Sequence, residues 1–323
     1  MAFALVMLVV YLGWVGYQGS QLFAANDRAG DCRTPASAFG WGYEAINYPI
    51  GSDTTLQSLA DRLNCASQGE AAGEALTTGD GVRLAGWYIP AANGGGATSA
   101  TVVLAHADGA NKSEMLPWAD LLHADYNLVL FDFRNHGQSS GQTTTMGVRE
   151  VDDLRAVLDW LDEEKGPASI GVLGVSMGGA AAINEAASDS RVSAVILDST
   201  HATLANALQA RLDRDGYPLS LPGAWSILLG GLLRTGEDMS SADPVQAIAR
   251  YRERPVLLIT AGSDQAVGPN DASDLLAAAQ DAGGAVELKS CAAAPHAQAI
   301  STCSSEYAGW LLSFLGRTLP HAP

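Results

Sequence analysis

The chain of 323 residues carries 35 acidic side chains against 18 basic ones, a formal net charge of −17. Such a surface repels phosphate backbones and anionic headgroups, which sets nucleic acid aside as a partner. Hydrophobic residues make up 47% and charged residues 16%, the balance of a globular chain rather than a disordered one. The length suits one large α/β domain with extra segments at an end.

The chain opens MAFALVMLVVYLGWVGY, and its first charged side chain is Asp27. A helix needs about 20 apolar residues to cross a bilayer, and this run reaches that length if residues 18–25 lie at the interface. Trp14, Tyr17 and Phe23 suit the headgroup level. Residues 1–25 are therefore expected to be a transmembrane anchor, which makes the membrane a partner through the N-terminal segment. A cleaved signal segment, with Ala24 and Ala25 near the cut, is the competing reading; a buried core helix is the third. Either of the first two places the remainder outside the cytoplasm, anchored or secreted. The four cysteines form two local pairs, Cys32 with Cys65 and Cys291 with Cys303, expected as disulfides in an oxidising compartment. Four buried thiols are the alternative. No CxxC occurs and no histidine stands at zinc-ligand spacing beside a cysteine, so no metal is expected.

Residues 26–74 read as a juxtamembrane segment, with a Cys32–Cys65 staple and one helix near 55–63 expected. Residues 74–90 (EALTTGDGVRLAGWYIP) alternate apolar and polar about a Gly-Asp-Gly turn and predict a hairpin. Residues 91–100 (AANGGGATSA) predict a surface loop. Short apolar strands are then expected at 101–105, 127–132, 169–175, 192–198, 255–261 and 285–289. Helices are expected at 112–124, 146–164, 177–188, 271–281 and 305–315. That alternation predicts βαβ units and a mostly parallel, doubly wound α/β sheet. Between 199 and 254 no strand appears, only helical patterns at 204–212 and 224–233, so this interval is expected to be a helical cap over the sheet.

In such a sheet, ligands bind beyond the carboxyl ends of the strands. Gly174-Val-Ser176-Met-Gly178-Gly179 lies there, after an apolar strand and before a helix. A G-x-S-x-G turn in that setting lifts its serine above the sheet, and bulky residues at 174 or 178 would clash. Ser176 is thus the expected nucleophile, and it needs a base. His296, in the loop between the last strand and the last helix, is the expected base. A Cys291–Cys303 bridge would close that loop. Asp264, after the strand 255–261, is the expected acid that orients the base, with Asp198 at the end of 192–198 as its rival. An oxyanion hole needs two backbone donors. Met177 N–H is one; the other is expected from the loop after 101–105, at Asp108, with Ala107 as the neighbouring candidate. His106 is read as a brace for that loop. Asp152, Asp153, Asp159, Asp162 and Glu163 are read as the solvated face of a helix, and Trp225 with 227–233 as either a packing face or an acyl pocket.

With LAHADGANK at 104–112, FDFRNHGQSSG at 131–141, GVSMGG at 174–179 and PVLLITAGSDQAV at 255–267, the chain resembles the α/β-hydrolase superfamily. More narrowly it resembles its BEM46-like and monoglyceride-lipase-like bacterial serine hydrolases. The resemblance spans about 75–318 and implies the α/β-hydrolase fold, an acyl-enzyme on Ser176 and a small-molecule acyl ester substrate without a cofactor. Serine peptidase and thioesterase activity use the same triad, and a non-catalytic anchored binding protein is the reading from another class. Where the family usually has His-Gly this chain has His106-Ala107, so the resemblance implies a narrowed acyl site or a displaced donor. It also implies a structural turn role for His136.

Overall fold

The computed structural model describes residues 2–24, 33–46, 76–94, 99–252 and 254–319. The strands are β1 (Glu44–Ile46), β2 (Leu76–Thr77), β3 (Arg83–Leu84), β4 (Gly86–Ile89), β5 (Thr101–Ala105), β6 (Asn127–Phe131), β7 (Ile170–Val175), β8 (Val192–Asp198), β9 (Val256–Ala261) and β10 (Val286–Cys291). Eight of them form one sheet in the order β1-β4-β6-β5-β7-β8-β9-β10. The six from β6 to β10 run parallel, and β4 and β1 continue the sheet antiparallel. The Gly-Asp-Gly turn does make a hairpin, with Leu76 opposite Leu84.

The central strands are buried on both faces, so they read as unbroken apolar runs rather than alternating ones. Alternate residues nevertheless serve opposite cores. Val103, Val129, Val172 and Val195 face one cluster, completed by Leu154 and Leu158 of α2 (Glu150–Glu164) and Ile183 of α3 (Met177–Ala186). Val102, Leu104, Leu130 and Leu173 face the other, with Trp118 and with Leu311 and Phe314 of the C-terminal helix Ser304–Thr318. Met146 and Gly147 have φ of 53° and 107°, so the helix expected from 146 begins only at Glu150.

Between β8 and β9 come α4 (Leu204–Arg214) and α5 (Ser220–Thr235), with no strand among the described residues, as the sequence pattern predicts. Thr203 caps α4 by accepting the Asn206 N–H. Among the described residues no helix is long and apolar enough to cross a membrane. The N-terminal helix α1 (Ala2–Gly19) packs against α5. Small residues allow the approach, because a Cβ on Gly16 would press on the Ser226 carbonyl and one on Gly230 on that of Gly16. Val15 and Phe23 join Leu204, Leu208, Leu212, Ile227 and Leu228 in a third apolar cluster. Trp225 stays half exposed, so of the stretch at 225–233 only part is packing face. Cys32, Cys65 and the helix expected at 55–63 lie outside the described residues.

Candidate active site

The chain leaves β5 for β6 on one side of the sheet and leaves β7 for β8 on the other. The connections part between β5 and β7, and that switch point opens a crevice above the strand ends. Ser176 stands there, immediately after β7, with φ 53° and ψ −114°. A residue with a Cβ holds such a conformation only when its surroundings fix it. Glycine makes the turn possible. A Cβ on Gly174 would overlap the Gly178 carbonyl, one on Gly178 the Ala105 carbonyl, and one on Gly179 the Thr200 hydroxyl. The Ser176 N–H donates to the Asp198 carbonyl at 2.8 Å and ties the turn to β8. The hydroxyl sits at the N-terminus of α3, among backbone donors that have no intrahelical partner.

His296 reaches Ser176 from a loop 120 residues away, its Nε2 2.9 Å from Oγ. Its Nδ1 lies 2.8 Å from Asp264 Oδ2. With Nδ1–H donating to the carboxylate, the Nε2 lone pair is left to accept the serine hydroxyl. The second oxygen of Asp264 accepts the N–H groups of Ala266 and Val267 at 2.8 and 3.2 Å, so the carboxylate cannot swing away from the ring without losing them. The acid side chain is 7% exposed and the imidazole 26%: the acid is shielded while the base stays open to an incoming molecule. A disulfide joins Cys291, at the end of β10, to Cys303, just before the last helix, and spans the loop that carries His296.

Of the two acids, then, the structure brings Asp264 to His296 and sends Asp198 elsewhere. Asp198 accepts from the hydroxyls of Tyr307 and Ser199 at 2.8 and 2.9 Å. Burial pushes its carboxyl up to about 6. His201, three residues after Asp198, is also buried close to His296, and burial holds its ring neutral, down to about 4. No local pattern distinguishes it.

The loop after β5 lies alongside. His106 braces it: the ring accepts the Phe133 N–H at 3.0 Å, its other nitrogen meets the Ala107 carbonyl at 2.7 Å, and burial pushes it down to about 3, which keeps it neutral. His136 lies at a turn, with Nδ1 2.8 Å from the Arg134 carbonyl and Nε2 3.2 Å from both the Gly109 nitrogen and Asp108 Oδ1. Two buried ion pairs here have no signature in the sequence. Lys112 meets Asp132 at 2.6 Å, and Arg134 meets Asp153 at 2.7 Å. Asp153 is thereby corrected from a solvated residue to a fully buried one; Asp152 and Asp159 remain on the outside of α2.

Residues 100–254 match the family described as "alpha/beta hydrolase fold". The uncharacterized protein YfhR of Escherichia coli K12 is 31% identical over 150 residues, 45% of this chain and 52% of that protein, so the chain spans about half the length of this curated relative. The thiohydrolase aneE of Aspergillus aculeatus is 36% identical over 130 residues, 37% of this chain and 38% of that one. Among solved structures, the esterase Pf2001 of Pyrococcus furiosus superposes with a TM-score of 0.67 at 24% identity, covering 90% of this chain and 98% of the esterase. At that identity the likeness speaks for the fold. Sheet order, serine turn and the family match over residues 100–254 together give this chain the α/β-hydrolase fold.

Proposed function

We propose that the chain is a serine hydrolase that cleaves carboxylic esters through an acyl-enzyme on Ser176. The observation that carries this reading is the unbroken path from Asp264 through His296 to the Ser176 hydroxyl, at 2.8 and 2.9 Å. Ser176 Oγ attacks the acyl carbonyl while His296 Nε2 takes its proton, and Asp264 stabilises the imidazolium that forms. The developing oxyanion is received by the N–H groups of Met177 and Asp108, of which the loss of one typically costs about 2.7–4 kcal/mol. His296 returns the proton to the leaving alcohol and then activates water for deacylation.

The similarity to a thiohydrolase favours thioesters as a second substrate class on the same residues. The chemistry differs only in the leaving group. Extracytoplasmic placement is part of the proposal too, supported by the Cys291–Cys303 disulfide, since such bonds persist in oxidising compartments. The exposed apolar side chains of residues 5–10 support attachment of α1 to a lipid surface. Turnover of matched p-nitrophenyl esters, acyl thioesters and peptide amides tests the assignment. Ester or thioester hydrolysis that disappears in Ser176→Ala is expected; hydrolysis of amides alone would point to a peptidase.

A further inference from the structure

Asp198 ends β8 and is fully buried, and the groups around it converge on its carboxylate. Tyr307 donates its hydroxyl to Oδ2 at 2.8 Å, and Ser199 donates to Oδ1 at 2.9 Å. Behind the phenol, Trp118 Nε1–H donates to the Tyr307 oxygen at 2.7 Å. On the opposite side the Ser199 oxygen accepts the N–H of Ala297, the residue next to His296, at 3.1 Å. The chain of donors thus runs from two directions into one acid, and one of its arms ends on the backbone of the histidine loop.

Two features mark this arm. Ser199 and Ala297 have φ of 53° and 58°, a region that residues with a Cβ occupy only when their surroundings hold them there. The hydrogen bond joins these two residues directly. The second feature is direction. An ionised carboxylate only accepts, so both hydroxyls can point at it, whereas an amide in its place would bring a donor against one of them.

We propose that Asp198, acting through Ser199, is a positioning residue that fixes His296 against Ser176, and that its charge backs the imidazolium formed during attack. The proposal rests on the triad reading given under Proposed function. The titratable groups that face Asp198 are Tyr307 on the C-terminal helix, His296 after β10 and Asp264 after β9. His201, at the head of the helical insertion, faces His296 in turn. Burial keeps the His201 ring neutral near pH 7, so it adds no charge to the cluster.

The test uses the full chain, hydrolysis of a p-nitrophenyl ester between pH 5 and 9, and fluorophosphonate labelling of wild type, Ser199→Ala, Asp198→Asn and Ser176→Ala. Both positioning variants are expected to lose ten- to a hundredfold in kcat, with KM within about threefold. Asp198→Asn should also move the acid limb of kcat/KM to lower pH, because it removes a negative charge that favours the protonated imidazole; Ser199→Ala removes none and should leave the limb in place. A kcat within twofold of wild type in both variants, or a limb that moves alike in both, would overturn the proposal. Should Asp198→Asn fail to fold, Ser199→Ala lacks only one hydroxyl and decides the kcat question by itself. Labelling that survives Ser176→Ala would sink the triad reading, whereas labelling lost there but unslowed in both positioning variants would sink this proposal alone.

Discussion

Lys112 and Asp132 form an ion pair of 2.6 Å in which the lysine side chain is 4% exposed and the aspartate 0%. The pair fastens the loop after β5, which carries Asp108, to the end of β6. Asp132 also accepts the N–H groups of Lys112 and Gln138 at 2.7 and 2.8 Å, and Lys112 donates to the Gln138 side chain as well. The carboxylate's charge is balanced where it stands.

Breaking one side of such a pair leaves a buried charge uncompensated, which costs about 3–5 kcal/mol. Lys112→Met is expected to destabilise the protein by that amount in urea denaturation. The double variant Lys112→Met with Asp132→Asn should recover part of the loss.

The serine turn has less room than any other part of the site. Gly178→Ala would drive a methyl group into the Ala105 carbonyl of the neighbouring strand. The variant is expected to lose at least a hundredfold in ester hydrolysis, or to fail to accumulate as folded protein, as circular dichroism and activity together would show. Gly216→Ala is the control on the same grounds: its φ is 74° but no atom lies within 4 Å of the added methyl, so a modest loss of stability and unchanged activity are expected.

Two buried neutral histidines contribute to the acid side of the stability curve. His201 sits at about 4 and His106 at about 3, both lowered first by burial. An unfolded chain binds protons at these sites below about pH 6.5 while the folded chain does not. Their contribution to stability is therefore fully present above pH 6.5 and is lost as the pH drops towards 4. For His201 that contribution is on the order of 3 kcal/mol. His201→Gln should flatten the fall in melting temperature between pH 6.5 and 4; an equally steep fall in the variant would contradict the assignment.

The disulfide closes the loop that presents His296, about 13 residues, worth roughly 3 kcal/mol in the chain-entropy description. Cys291→Ala with Cys303→Ala should lower stability by that order. It should also reduce kcat more than it raises KM, because the imidazole loses definition rather than the acyl site its shape. Mild reduction of the wild-type protein should have the same effect.

The sequence made the chain-local part of this architecture legible. Gly174, Ser176 and Gly178 announce their turn because one backbone geometry demands all three, and β5 to β9 announce themselves as apolar runs of strand length. His296 and Asp264 were readable by order along the chain, since each follows a strand. What joins distant residues was not readable. Arg134 meets Asp153 across 19 positions and Tyr307 meets Asp198 across 109, and neither spacing leaves a periodic trace. Asp153 accordingly looked like one more acid on a polar helix face. The first helix is apolar around its whole circumference, so periodicity gave it no preferred face and could not foresee its packing on α5 through Gly16 and Gly230.

The most direct measurement of the central claim is the site of covalent capture by a fluorophosphonate, read by peptide mass spectrometry. One adduct per chain on Ser176 is expected, forming at least a hundredfold more slowly in His296→Ala and not at all in Ser176→Ala. An adduct on another residue, or a rate on Ser176 that does not depend on His296, would contradict the account.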